Sequence, residues 1–320
     1  MIDVFIRANY TADSNAMMAG FLTEMAAAEQ ALGDPARAKV LAAKASRMVG
    51  AMNRALWAPA SEGGDHFVTQ LNPDGTYRDF VDYDANLIAL AHGVPNSTER
   101  RAALLRRIDR GRCSAAQGGG PQFVSEKWYG KQDTTHGNVG DSWCAMGRIA
   151  WFDAHARKLM GRAADRAAFD AQLGLLSRDL IADTWMHERY GCDGKQQPNR
   201  TWAYFEYPST VAMLLREVRY GIRLDWAEVQ IAPFGPTSYA YHIGNVHVDY
   251  SADAIALSLP GTGRRTFTIE GLTPLSRFVF SLEGACASAQ LPADTMSDAQ
   301  GQLVFSAPVG AGCVVRGVLG

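Results

Sequence analysis

Apolar positions in the first 225 residues recur at three- and four-residue spacing, whereas beyond residue 226 they alternate one by one. The first period belongs to amphipathic helices and the second to half-buried strands. The spacing predicts a helix opening at Asp13 or Ser14, with Met18, Phe21, Leu22, Met25 and Leu32 as its buried stripe and Gly33 as its stop. Asp34 and Pro35 supply a cap and a first-turn proline for a second helix, striped by Leu41, Ala45, Met48, Met52 and Leu56. The turn between the two is so short that they form an antiparallel hairpin. Further helices are predicted over 84–93, after the Asn96-Ser97 cap, over 139–160, over 165–185 and over 209–220. Trp143, Met146, Ala150 and Ala154 share one side of the helix over 139–160, and Phe169, Leu173, Leu176 and Leu180 one side of the helix over 165–185.

In the last third, Val246, Val248 and Tyr250 alternate with polar residues, as do Ile255, Leu257 and Leu259. Segments 266–270 and 277–282 follow, separated by Gly- and Pro-bearing turns. This pattern predicts an antiparallel sheet or a small sandwich. The chain therefore divides into a helical domain over 1–225 and a β domain over 226–320. Two connections between helices, 58–83 and 113–138, run to about 25 residues each, a length that points to functional loops. Both carry Trp, Tyr, Phe, His and acids, and so read as ordered site-forming loops.

Composition removes several function classes. The chain has 320 residues, of which 47% are hydrophobic and 20% charged, enough for a sizeable core. A net charge of −2 gives no footprint for nucleic acid. The arginines from Arg100 to Arg112 read as a solvated helix face. Cys113, Cys144, Cys192, Cys286 and Cys313 contain no metal-type pairing and are expected to be mostly buried thiols, with a Cys286–Cys313 bridge left open by the sequence. No segment has the length for a membrane span, and the first residues lack a signal-peptide pattern, so the expectation as written is cytoplasmic, with export undetermined if residues precede Met1. There is no P-loop lysine after Gly118-Gly119-Gly120, no GxSxG elbow and no HExxH, and neither a metal nor a cofactor is expected.

Three stretches carry a resemblance: RDFVDYDANLIALAHGV (78–94), GDSWCAMGRIAWFDA (140–154) and TWAYFEYPSTVAMLLREVRYGI (201–222). They are similar to six-hairpin (α/α)6 glycosidases of the trehalase, glucoamylase and α-L-rhamnosidase type, in their C-terminal half. The resemblance implies a mainly α fold, an (α/α) toroid of helical hairpins followed by a small antiparallel β domain. With about seven helices before the β region, the ring is expected to be incomplete. An apolar wall left by absent hairpins would favour a homo-oligomer. The implied activity is hydrolysis of glycosidic bonds in oligo- or polysaccharides by two carboxyl groups, with inversion.

Glu206, set among Tyr204, Phe205, Tyr207 and Pro208, is the expected base, because apolar neighbours tune a carboxyl for acid–base work. Glu126 is the expected acid, with Trp128 and Tyr129 beside it as a sugar platform; an acid from the Asp82/Asp84 loop is the alternative. Asp82, Asp84, Trp128, Tyr129, His136, Asp141, Trp143, Arg200 and Trp202 are the expected substrate-binding residues. Asp79 is expected to point away if its segment is extended. Two other readings use the same loops. A polysaccharide lyase would recruit Tyr129, His136, Asn138 and Arg200, although the acidic balance disfavours a uronate, and a catalytically silent fragment would bind sugar without turnover.

Overall fold

A computed structural model describes residues 6–111, 124–127, 129–133, 149–183, 206–225, 228–290 and 294–320. The chain falls into two compact units, Met1–Leu214 and Leu215–Gly320. The first is a helical domain and the second a β domain.

In the helical unit, the short strand β1 (Tyr10–Thr11) leads into α1 (Ala12–Ala31). The helix α2 (Pro35–Ala55) returns antiparallel to α1, and Asp34 caps it by accepting the Arg37 N–H at 2.9 Å. Strands β2 (Gln70–Leu71) and β3 (Tyr77–Arg78) join β1 in a three-stranded antiparallel sheet. The helix α3 (Tyr83–Ala91) is buried from Tyr83 through Leu90. A helix buried on every face lies at the centre of its unit, and α3 packs against both α1 and α5 (Ala150–Met160). The helix α4 (Thr98–Arg110) starts at Ser97, whose hydroxyl accepts the Arg100 N–H at 3.2 Å. Gly161 ends α5 in the left-handed conformation. The helices α6 (Ala163–Asp183) and α7 (Glu206–Met213) complete the unit. Met52, Leu56, Phe67, Leu87, Ile88, Leu104, Ile108 and Ile149 form its core.

Two expectations are corrected here. Most of the stripe predicted to be the buried face of α1 faces outward: Met18 is 46% exposed, Phe21 57% and Leu32 74%, with Leu22 and Met25 half-buried. The inner face is instead Ala12, Ala16, Ala19, Gly20, Ala26 and Ala28. Close approach to α3 explains the inversion, since a Cβ on Gly20 would lie 2.3 Å from the His92 ring. The α4 arginines are also not a merely solvated face. Arg100 donates to Asn53 and lies over the Trp57 ring, and Arg107 and Arg110 reach carboxylates across the fold.

The β unit begins as α7 passes into a π-helical turn, Leu214–Arg219. Gly221 then reverses the chain at φ +68°, where a Cβ would lie 2.0 Å from the Ala232 carbonyl oxygen. Ten strands follow among the described residues: β4 (Ile222–Leu224), β5 (Glu228–Ile231), β6 (Ser238–Ile243), β7 (Val246–Ser251), β8 (Ala254–Ser258), β9 (Arg264–Ile269), β10 (Arg277–Gly284), β11 (Asp294–Met296), β12 (Leu303–Pro308) and β13 (Cys313–Leu319). They make two sheets, ordered β11-β10-β13-β8-β7-β6 and β12-β9-β5-β4. Alternate residues from both sheets, among them Val248, Ile255, Leu257 and Phe278 against Val229, Ile231, Phe267 and Phe305, share one core. The sandwich is not wholly antiparallel. The chain crosses to the six-stranded sheet for β6 to β8 before β9 returns beside β5, so that pair runs parallel.

Cys286 and Cys313 are joined by a disulfide, which settles the pairing the sequence left open; Cys113, Cys144 and Cys192 lie outside the described residues. The bridge spans 27 residues of sequence and ties the turn after β10 to the start of β13. In the loop-entropy account such a closure contributes about 3.5 kcal/mol. Reduction, or the Cys286→Ala/Cys313→Ala double variant, is therefore expected to lower unfolding free energy in urea by roughly that amount, with the loss confined to probes in the β unit.

Candidate active site

The acidic loops of the helical unit meet around two buried charge clusters. The first is centred on Arg7. Its neighbours fix the backbone on both sides: the Ile6 N–H donates to the Asp133 carbonyl at 2.7 Å, and the Ala8 N–H to Gln70 Oε1 at 3.1 Å. The Arg7 guanidinium then donates to Asp13 (2.9 Å), Asp82 (3.0 Å) and Asp84 (3.3 Å). The Tyr129 hydroxyl donates to both Asp82 oxygens, at 2.6 and 2.8 Å, and its ring stacks on Phe80 at a 3.8 Å centroid separation. All three carboxyls and the tyrosine are buried.

Three carboxyls around one guanidinium leave surplus negative charge among buried side chains. The cost falls on Asp82, whose carboxyl is pushed up to about 7 by burial and by Asp84, against the opposing pull of Arg7. Burial also raises the Tyr129 phenol, and the Asp82 charge adds to it. The carboxylates hold Arg7 firmly charged although burial opposes this.

The second cluster is centred on His66. Its Nε2 lies 2.7 Å from Asp79 Oδ2 and its Nδ1 3.1 Å from Asp65 Oδ1. Asp65 also accepts from Arg107 (3.2 Å) and Arg110 (2.7 Å). Arg107 grips Glu126 with two bonds, at 2.6 and 2.8 Å, and the Tyr83 hydroxyl donates to the same carboxylate at 3.2 Å. Burial pushes the His66 imidazole down, but the Asp79 hydrogen bond and charge outweigh it and raise it. Asp79 moves the opposite way: burial would raise it, and bonding to His66 lowers it.

Val81 separates the two clusters. It is a buried β-branched residue at φ +52°, a conformation costing about 1–3 kcal/mol. Asp79 Oδ1 accepts its N–H at 2.9 Å, and its carbonyl accepts the Glu126 N–H at 3.1 Å. Asp79, on one side of this residue, reaches His66, while Asp82 and Asp84, on the other, reach Arg7.

The structure thus brings Asp82, Asp84 and Tyr129 together and places Glu126 in the neighbouring cluster. The first three have no surface open to a sugar, and Tyr129 is covered by Phe80 instead of serving as a platform. Glu126 is 39% exposed and pairs with Arg107. Glu206 opens α7, but its side chain lies outside the described residues, as do Trp128, His136, Asp141, Trp143, Arg200 and Trp202. Sequence reasoning missed Arg7, Asp65 and His66, and read Asp13 only as a helix start and Arg107 only as part of a solvated face. Asp79, expected to point away from Asp82 and Asp84, does so and meets His66. Among the described residues no His, Cys, Asp and Glu group is arranged to hold a metal, and no helix is long and apolar enough to cross a membrane.

No family model and no curated protein matches the chain. Solved structures similar to it include glycosidases. One is a sialidase (13% identity, 79% of this chain and 23% of that one, TM-score 0.48). Another is a rhamnosidase from Bacillus sp. GL1 (15% identity, 78% and 24%, TM-score 0.49). A third is an α-L-rhamnosidase from Dictyoglumus thermophilum (10% identity, 95% and 31%, TM-score 0.47). The chain spans less than a third of the length of each of these three.

The surplus charge around Arg7 has a thermodynamic signature. A carboxyl whose folded value is raised keeps a proton that the unfolded chain releases near pH 4. Its contribution is complete below that value and fades as pH rises through about 7. Asp82→Asn carries no such proton. Urea unfolding from pH 4 to 8 is expected to show a shallower loss of stability for the variant than for the wild type; parallel curves would remove Asp82 as the carrier.

Proposed function

We propose that the chain is the catalytic part of a glycoside hydrolase that cleaves glycosidic bonds of oligo- or polysaccharides with Glu126 and Glu206, its helices belonging to an (α/α) toroid. The observation that carries this reading is the setting of Glu126. It is the most solvent-accessible carboxylate of the two clusters, and three donors fix its direction, two from Arg107 and one from Tyr83. A carboxylate that accepts three hydrogen bonds is pre-oriented at little entropic cost, as a water-activating base requires.

Glu206 then takes the proton-donor role, the reverse of the assignment drawn from sequence. Its flanks, Tyr204, Phe205, Tyr207 and Pro208, favour the neutral carboxyl form such a donor needs. In the reaction Glu206 gives its proton to the departing glycosidic oxygen as the C–O bond breaks. Glu126 takes a proton from water, whose oxygen attacks the sugar carbon from the opposite face. That single displacement inverts the anomeric centre and needs the carboxyls about 6.5–9.5 Å apart.

Trp128, His136, Asp141, Trp143, Arg200 and Trp202 are proposed to hold the sugar. Asp82, Asp84 and Tyr129 are proposed to support the loop from inside. A panel of aryl glycosides and oligosaccharides tests the reading. Glu126→Gln and Glu206→Gln are each expected to cut kcat by a factor of about 10²–10⁴ with the fold intact. Unchanged turnover in either variant would remove that residue, and no turnover of any glycoside by the wild type would remove the proposal.

A further inference from the structure

His66 is buried, yet both of its ring nitrogens face carboxylate oxygens, at 2.7 and 3.1 Å. A carboxylate only accepts hydrogen bonds, so with Asp65 and Asp79 both ionised the arrangement is satisfied by an imidazolium, in which both nitrogens donate. A side chain without exposed surface cannot touch a sugar. What it does touch is informative. On one side Asp79 bonds the N–H of strained Val81, the residue from which Asp82 and Asp84 depart. On the other, Asp65 anchors Arg107, which grips Glu126. The circuit closes on itself, because the Glu126 N–H donates to the Val81 carbonyl.

We propose that His66 is a positioning residue whose imidazolium couples the loop bearing Asp79 to the Asp65–Arg107–Glu126 chain, and so fixes the direction of the Glu126 carboxylate. The functional half of this inference rests on the glycosidase reading; the coupling itself does not. The charged groups facing His66 are Asp79 from its own side of the turn, Asp65 from the preceding residue, and Arg107 from α4, which opposes the imidazolium. Arg110 bonds the same Asp65, and the Lys127 charge acts on Asp79. Loss of one ring proton leaves a nitrogen lone pair facing a carboxylate. The Asp65 contact, being the longer, opens first, and Asp65, with the Arg107 it anchors, loses its fixed point on His66. Because bonding to Asp79 lifts the imidazole above its ordinary value, the link is complete at low pH and is lost as pH rises past the folded midpoint.

Two readouts test this. In long-range ¹H–¹⁵N spectra assigned with His66→Gln, both His66 nitrogens are expected to be protonated at pH 7, with a titration midpoint that falls in Asp79→Asn and in Asp65→Asn. The ¹³C carboxyl resonance of Glu126 is expected to move with that same midpoint, which a merely structural histidine would not cause. In kinetics on a cleaved glycoside, kcat/KM is expected to fall about tenfold per pH unit above the His66 midpoint. Asp65→Asn should shift that limb to lower pH, and His66→Gln should abolish it. A neutral His66 at pH 7, a Glu126 resonance blind to the His66 titration, or an unmoved kinetic limb overturns the proposal. Should His66→Gln not fold, wild type and Asp65→Asn decide alone. If no glycoside is cleaved, the glycosidase reading fails and the spectra still decide the coupling.

Discussion

Charge taken out of water has to be matched inside the fold, and the helical unit is arranged around that demand. Asp13, Asp82, Asp84, Asp65 and Asp79 all lie away from solvent or nearly so. Arg7, His66 and Arg107 are the cations that match them. Removing one partner from such a set typically costs about 3–5 kcal/mol, because the remaining charge cannot be hydrated. The loops are therefore ordered less by regular secondary structure than by ionic contacts that leave few alternative positions. Val81 shows the force of this demand. A β-branched residue is held in the left-handed region because Asp79 and Glu126 both bond its backbone.

The same demand separates the roles of neighbouring acids. Asp82 is bridged to Ser125, the residue before Glu126, and the Glu126 N–H bonds the Val81 carbonyl next to Asp82. Yet Asp82 is enclosed by Arg7 and Tyr129, while Glu126 reaches solvent with its oxygens already directed. Environment, not residue type, distinguishes an acid that supports a loop from one that can meet a substrate. The β unit relies on other forces: one shared apolar core, a glycine reversal at Gly221 and a disulfide.

Much of the fold was legible because its signals are local. Ser97 and Asp34 cap the helices they were expected to cap, Gly161 ends α5, and the alternation from Val246 to Tyr250 lies within β7. The inner face of α1 was not legible. Alanine and glycine are chosen there for what they leave room for, namely His92 on the next layer, and periodicity weighs only what is large and apolar. The α4 arginines misled for a related reason, since a charge run looks the same whether it meets water or Asp65 and Glu126. Of the site, the Asp82/Asp84 loop and Glu126 stood out by their aromatic company. Arg7 and His66 did not, because their meaning comes from partners such as Asp82, 75 residues from Arg7, and Asp79, 13 residues from His66.

The central claim is that the buried ionic circuit acts as a unit. A double-mutant cycle on unfolding free energy between Asp79→Asn and Glu126→Gln addresses it most directly, because the two side chains are linked through His66, Asp65 and Arg107 on one side and through Val81 on the other. The account predicts a coupling of about 1 kcal/mol or more, as for residues sharing one network. Effects that add to within about 0.3–0.5 kcal/mol, as for independent sites, would contradict it.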